Sequence, residues 1–349
     1  MEKIICLDCR IRLFPGKDRL ECKKCGKTWK LIEGVPYFSQ DYIYWGELTR
    51  KEMIAINKDM EKGKNWKNAL KDILDRNPRK QFPEPYSFAT DLSRANWIFL
   101  TDLKKNGIAL DIGGGLGTVS EIMSHYCKKV YCIEPVDERI RFCKKRFEQE
   151  GIKNIQLIKG NALQLPFEDN TFDLVVMNGV LEWVGVYSEK DPREAQKRVL
   201  SDIMRILKPG GVLYVGIENR LSYTNFIGKF DPHVNLVFIA LMPRFLANLY
   251  SKAFTGKKYK TYIYSHKGYK KLFRESGYSN IDIYNVLPDY NLPVYLIPMK
   301  GDIPYEYLVK MTNDQSSLLP KAAKRVIALL AKAGLAKYFL PAYVILAKK

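Results

Sequence analysis

Four cysteines open the chain as two Cys-x-x-Cys pairs, Cys6/Cys9 and Cys22/Cys25, with twelve residues between them. Two short knuckles facing each other supply four thiolates, the donor set of a tetrahedral Zn²⁺ site. Gly26, directly after the second pair, suits the tight turn that aims sulfurs and amides inward. With sulfur at all four positions no place is left for water, so the expected metal is structural rather than catalytic. A disulfide pair is disfavoured in a reducing compartment, and a redox motif would occur once, beside a βαβ unit. The remaining cysteines, Cys127, Cys132 and Cys143, are scattered and read as small buried apolar residues.

A second group lies further on. Ile108–Ile112 is a short apolar run that ends in Gly113-Gly114-Gly115-Leu116-Gly117, followed by a helical stretch, Thr118–Tyr126. Glycines let backbone approach a ligand closely, and the following helix start offers free amides. Val130-Tyr131-Cys132-Ile133-Glu134 is a second apolar strand ending in an acid about twenty residues on, placed to accept from both hydroxyls of a ribose. A dinucleotide site spends three glycines on a pyrophosphate, which the Asp111 carboxylate would repel. The same carboxylate suits an ammonium group.

Asp111-x-Gly113-x-Gly115-x-Gly117 resembles motif I of the class I S-adenosylmethionine-dependent methyltransferases. The resemblance continues in order. Glu134 falls at the ribose-binding acid, and Gly160-Asn161-Ala162-Leu163-Gln164-Leu165-Pro166-Phe167 at the segment bordering adenine. Phe172–Met177 follows as strand four, and Leu207-Lys208-Pro209-Gly210-Gly211 turns into strand five. The resemblance covers roughly residues 86–220 and the closing strands. It implies that Asp111, Gly113, Gly115, Gly117, Glu134, Asn161, Ala162 and Asn178 bind S-adenosylmethionine. One position departs: an Asp usually accepts from the adenine amino group, and Asn161 offers only a neutral acceptor. After strand four, Asn178-Gly179-Val180-Leu181-Glu182-Trp183 lacks the Asn-Pro-Pro-aromatic tetrapeptide of adenine N-methylation in DNA. It also lacks a Cys for cytosine C5 chemistry.

These residues need an α/β scaffold: a Rossmann-like seven-stranded class I methyltransferase sheet with helices on both faces, preceded by a small zinc ribbon. Residues 1–40 form the ribbon, with Trp29–Phe38 as strand, turn and short strand. Residues 41–85 read as a helical linker, broken by Asn77-Pro78 and Phe82-Pro83-Glu84-Pro85. Residues 86–349 form the methyltransferase domain. In it Arg193–Leu207 and Gly268–Ser276 read as helices, Ile281–Tyr284 as strand six and Ala342–Ala347 as the antiparallel last strand. Residues 221–262 and 288–341 are then insertions.

Insertions at the carboxyl ends of the strands should choose the acceptor. Glu218, Arg220, Asp231 and His233 are the catalytic candidates, with His233 as base for a sugar or phenolic hydroxyl. Glu218 and Arg220 as a surface ion pair is the competing reading. The chain of 349 residues is 46% apolar and 27% charged, which excludes disordered and fibrous classes. A net charge of +19 points to anionic partners. Residues 233–274 carry nine Lys or Arg and no acid, interleaved with aromatics, and Lys321–Lys349 is again basic. Such stretches suit an RNA backbone, an anionic membrane surface, or plain solvation. No run reaches the ~18 apolar residues of a spanning helix, and the first residues lack a secretion signal. The expected location is cytoplasmic, with a peripheral membrane seat as the alternative.

The ribbon resembles a small zinc-ribbon activator of tRNA and protein methyltransferases, and its placement resembles the large-subunit rRNA guanine methyltransferases. The segments Asn178–Gly185, Ile217–Arg220, Leu241–Arg244 and Leu287–Tyr290 resemble methyltransferases of cell-surface glycan assembly. Three functions follow: methylation of a hydroxyl on a small-molecule, glycan or lipid-linked acceptor; RNA methylation; or a non-catalytic S-adenosylmethionine-fold binding protein.

Overall fold

A computed structural model describes residues 2–39, 44, 46–77, 85–300 and 321–349. Four short strands, β1 (Phe14–Pro15), β2 (Arg19–Glu21), β3 (Thr28–Ile32) and β4 (Val35–Pro36), make a small antiparallel sheet in the order β1-β2-β3-β4. The main sheet comprises β5 (Ile108–Ile112), β6 (Lys129–Glu134), β7 (Ile155–Lys159), β8 (Phe172–Asn178), β9 (Leu207–Glu218), β10 (Asn280–Asp289), β11 (Leu292–Pro298) and β12 (Ala342–Lys348). Its order is β11-β10-β12-β9-β8-β5-β6-β7. Strand β5 pairs in parallel with β6 and β8, and β6 with β7, whereas β10 pairs antiparallel with β12. This is the expected Rossmann-like α/β sheet with one strand more. The hairpin β10–β11 adds an edge inside the stretch read as an insertion at 288–341. Of that stretch, residues 301–320 lie outside the described residues.

Compactness divides the chain into two units. The first comprises Met1–Met177, Asp202–Leu213 and Lys349. Its strands β5 and β6 are apolar and almost wholly buried, as parallel strands covered on both faces must be. The helices α1 (Arg50–Glu61) and α2 (Trp66–Arg76) replace the expected linker with a packed pair. Thr49 and Glu52 form a capping box at the start of α1, satisfying two otherwise orphaned amides. Met53, Ile56, Met60, Trp66 and Leu70 are buried against Phe142 and Phe147 of the helix Asp137–Gln149. Spacings of three and four put those apolar residues on one face, which charge-counting along the segment obscured. Residues 78–84, where two of the expected breaks fall, lie outside the described residues.

The cysteine-bearing sheet belongs to the same unit and is bound to it by backbone. The Ile5 amide donates to the Pro166 carbonyl at 2.9 Å, and the Phe38 amide to the Lys159 carbonyl at 2.8 Å. Ile4 bridges Phe167 and Tyr37 bridges Lys159 at the end of β7. A sheet edge left open invites pairing with another chain, and here residues of the first forty close it. Residues 2–39 therefore pack as part of the unit and do not hang from it.

The second unit, Asn178–Ser201 and Tyr214–Lys348, contains most of the two expected insertions. After Glu218 the chain forms α7 (Tyr223–Phe226), a short 3-10 turn at Ile239–Leu241 and α8 (Arg244–Thr255), and returns at Tyr264, which bridges Asn219. Arg220 donates through Nε to the Ala240 carbonyl at 2.7 Å and through Nη2 to Met242 at 2.9 Å. That ties the loop to the end of β9. Arg244 reaches the Ile263 carbonyl at 2.5 Å and lies 4.0 Å from the Tyr262 ring centroid.

Candidate functional site

In the first unit, Gly113, Gly115 and Gly117 take positive φ angles of 79°, 56° and 85°, a region L side chains rarely adopt. Gly114 is demanded by space instead: a Cβ there would stand 2.2 Å from Cys132 Sγ. On Gly115 a Cβ would meet only the Gly113 carbonyl, at 3.9 Å, so the loop is open at that point. Glu134 is buried at the end of β6, accepting from the Gly115 amide at 2.9 Å and the Val136 amide at 3.0 Å. Burial raises its pKa, against the Arg139 charge and those two amides. A carboxylate has about four acceptor positions, so two remain for hydroxyl donors. Asp111 lies beneath the loop, 2% exposed, and accepts from Ser120 Oγ at 2.6 Å. Burial pushes its carboxyl up to about 6. Asn161 Oδ1 accepts from the Leu163 amide at 2.8 Å, so part of its acceptor capacity is spent on its own turn. Ala162 beside it is buried. The geometry of strand, glycine loop and acid fits a nucleoside bearing a ribose diol.

The second unit gathers a different chemistry. Asp231 Oδ1 accepts from the His233 amide at 2.8 Å and stands 3.2 Å from His233 Nδ1, while Tyr259 donates to Oδ2 at 3.2 Å. The imidazole, 3% exposed, packs on Trp183 at 4.9 Å between ring centroids. With Nδ1 donating to Asp231, Nε2 points toward two carboxylates, Glu182 Oε1 and Glu218 Oε1, each at 4.0 Å. Tyr290, at the tip of the β10–β11 hairpin, donates to Glu218 Oε1 at 2.9 Å. Among the described residues, neither oxygen of Glu182, nor Glu218 Oε2, has a hydrogen-bond partner, although Glu182 is fully buried. Burial and then the Glu218 charge push the Glu182 carboxyl up to about 8, against the His233 charge. For His233, burial opposes protonation, but the Asp231 hydrogen bond and the charges of Glu218, Asp231 and Glu182 prevail, pushing it up to about 9.

Asp231, His233 and Glu218 lie together, and Arg220 does not join them. Its guanidinium is spent on loop carbonyls, and it makes no ion pair with Glu218. Glu182, Tyr259 and Tyr290 were not foreseen as parts of this cluster. A Tyr at a hairpin tip carries no local signal. Gly179 makes room for that ring, since a Cβ there would come within 3.0 Å of it, and Gly216 makes room for Asn178, whose Oδ1 would stand 2.2 Å from a Cβ. Asn178 accepts from Tyr214 at 3.3 Å, and its Nδ2 has no partner among the described residues.

At the other end of the chain, the sulfurs of Cys6, Cys9, Cys22 and Cys25 all lie within 4.8 Å of one another. Cys6 Sγ and Cys25 Sγ stand 3.8 Å apart. A disulfide would need about 2.05 Å.

Residues 110–215 match a family model described as a methyltransferase domain. A demethylmenaquinone methyltransferase of Bacillus mycoides is 32% identical over 202 residues, 54% of this chain and 77% of the relative. The ubiquinone/menaquinone biosynthesis C-methyltransferase UbiE of Wigglesworthia glossinidia brevipalpis is 28% identical over 182 residues, 51% and 68% of the two chains. Among solved structures, phosphoethanolamine N-methyltransferase 2 of Haemonchus contortus is similar with a TM-score of 0.43 and 17% identity, covering 80% of this chain and 59% of that one. The glycine loop, the sheet order and a relative matched over most of its length agree, and the chain belongs to the class I S-adenosylmethionine-dependent methyltransferases.

Proposed function

We propose that the protein methylates a small-molecule acceptor of the quinol class, with His233 removing the acceptor's hydroxyl proton. The observation that carries this is the Asp231–His233 pair, which holds Nδ1 on a carboxylate and turns Nε2 away from it, so that the neutral imidazole, formed as pH rises toward about 9, can take a proton there. S-adenosylmethionine, when bound, supplies an electrophilic sulfonium methyl. Glu134 holds the ribose diol, Asn161 borders the adenine, and the loop amides face the rest of the donor. On the acceptor side, a hydroxyl would donate to His233 Nε2 and pass its proton there, and the electron pair left behind would take the methyl group as its carbon–sulfur bond breaks and S-adenosylhomocysteine leaves. In an aromatic diol that pair is delocalised onto the neighbouring ring carbon, and the proton on that carbon would then be lost to solvent as the ring regains aromaticity and the hydroxyl is reprotonated from His233. The relative named as a ubiquinone/menaquinone biosynthesis C-methyltransferase favours that carbon over the oxygen as the nucleophile. Proton transfer is favoured by matching: a phenolic hydroxyl near 10 meets an imidazole at about 9.

Labelled donor offered to quinol, phenol and sugar acceptors tests this. Label in a carbon-bound methyl of the quinol is the expected product. Incorporation into sugar hydroxyls or RNA alone would overturn the reading.

The donor side gives its own test. Glu134→Ala should weaken S-adenosylhomocysteine binding by about 10- to 150-fold, since hydrogen bonds to a charged group are worth about 1.5–3 kcal/mol. It also frees the Gly115 amide that fixes the loop. Asn161→Ala should cost no more than about tenfold, because the bond it offers is neutral. Calorimetric titration giving the opposite order rejects the assignment.

The four cysteines hold one structural zinc. Tetrahedral sulfurs at about 2.3 Å from a metal lie about 3.8 Å from each other, the separation of Cys6 and Cys25.

A further inference from the structure

The helix α8 is inside out. Its inward residues, Ala247 and Ser251, are small and fully buried, whereas Phe245 and Leu249, one turn apart on the opposite face, are 65% and 64% exposed. Phe254 at its end is 71% exposed. The loop that packs beside it repeats the pattern, with Phe226, Ile227 and Phe230 all more than half exposed. Phe230 pairs with Val237, a Cβ on Gly228 would touch the Phe238 ring at 3.3 Å, and the next residue, Ile239, packs on Ala247, the inward side of the helix. On the outward side Phe245, Leu246 and Leu249, three and four positions apart, form one exposed apolar strip, the kind of surface that marks an interaction site.

We propose that this face seats the protein on an anionic lipid surface. Charge decides the occupant. Residues 233–274 contain no acid, and the exposed Lys252, Lys257 and Lys258 stand at the end of the same helix and just beyond it. Aromatic and aliphatic side chains enter the acyl boundary while neighbouring lysines meet the headgroups. A second copy of the chain would bring its own uncompensated lysines against these, with no carboxylate in the segment to receive them. An RNA would stack on flat rings and leave Ile227 and Leu249 without a function. Lys260, two residues on, is already committed, donating to the Ser188 carbonyl at 3.0 Å. The surface asks for lipid whichever acceptor the protein methylates.

Flotation of the full chain with vesicles tests the proposal. Binding is expected to vesicles containing phosphatidylglycerol, and at least tenfold less to phosphatidylcholine alone. The double variant Phe245→Asp/Leu249→Asp should lose at least tenfold in vesicle affinity, while its thermal midpoint stays within a few degrees of the parent, since both side chains already face water. Lys252→Gln/Lys257→Gln/Lys258→Gln should weaken binding at low salt and leave little further salt dependence. Absence of binding to anionic vesicles would overturn the proposal. So would an aspartate variant that floats like the parent, or one whose only change is loss of a dimer seen by sedimentation. Phosphatidylglycerol binding that RNA competes away, with the aspartate variant unaffected, would overturn it as well.

Discussion

Replacing His233 with Gln lowers kcat about 10²- to 10⁴-fold while leaving S-adenosylhomocysteine affinity unchanged, the range expected when a general base is removed. The donor residues lie in the other unit of the chain, so a loss confined to kcat identifies a proton-transfer role. The pH profile separates this from mere damage. In the parent, kcat/KM rises with pH and levels off above about 9, because His233 must be unprotonated to accept, and its neighbours hold it charged up to that point. Asp231→Asn deletes one of those neighbouring charges and the hydrogen bond to Nδ1. The imidazole then loses its proton more readily, so the rising limb moves to lower pH while the plateau falls with the lost orientation. Glu182→Gln moves the limb in the same direction by less, since the Glu182 charge acts on His233 less than those of Asp231 and Glu218. In His233→Gln the limb disappears. A variant that keeps the parental profile at reduced height would show that another group removes the proton.

Asp231, His233 and Glu218 were legible in the chain, and Glu182, Tyr259 and Tyr290 were not, for a physical reason. Asp231 and His233 are two positions apart, and an Asp that caps its own turn brings such a neighbour back onto its carboxylate. Glu218 could be placed because it ends a strand, where ligand sites gather. Tyr290 comes from a hairpin that local pattern did not distinguish from an insertion, and Glu182 from a short turn with no periodicity. The donor loop was readable because glycines at alternate positions announce backbone that no other residue adopts. Gly114 needed the fold: only packing reveals Cys132 beneath it. The helical pair α1–α2 was likewise found as helix but misread as a tether. Charged residues on its outer face concealed an inner stripe around Trp66, on which Arg146 stacks at 4.1 Å. For α8 the difficulty is the reverse, since an apolar outward face cannot be told from an inward one until its neighbours are known.

Cys22→Ser removes the zinc and unfolds residues 2–39, with consequences that reach the main sheet. Metal binding to four cysteines contributes on the order of 10–16 kcal/mol to the folding of modules this small. The four short strands bury too little to compensate: β1 is wholly exposed and β2 buries a single side chain, Leu20. Were the ribbon an independent domain, the loss would end there. Instead Ile4, Ile5 and Phe38 are buried against the sheet, and the bonds from Ile5 to Pro166 and from Phe38 to Lys159 go with them. The Lys3 and Arg12 side chains also release Glu168. Strand β7 then presents an unpaired edge, the template on which chains aggregate. Two results are expected together: less than a tenth of an equivalent of zinc, and a thermal midpoint about 5–10 °C lower with scattering on heating, which corresponds to about 2–3 kcal/mol in a domain this size. Limited proteolysis should cut first within residues 2–39. A variant that retains one equivalent of zinc and melts with the parent would remove the metal from these cysteines. One that loses zinc but melts unchanged would show that the sheet edge is held by its backbone bonds alone.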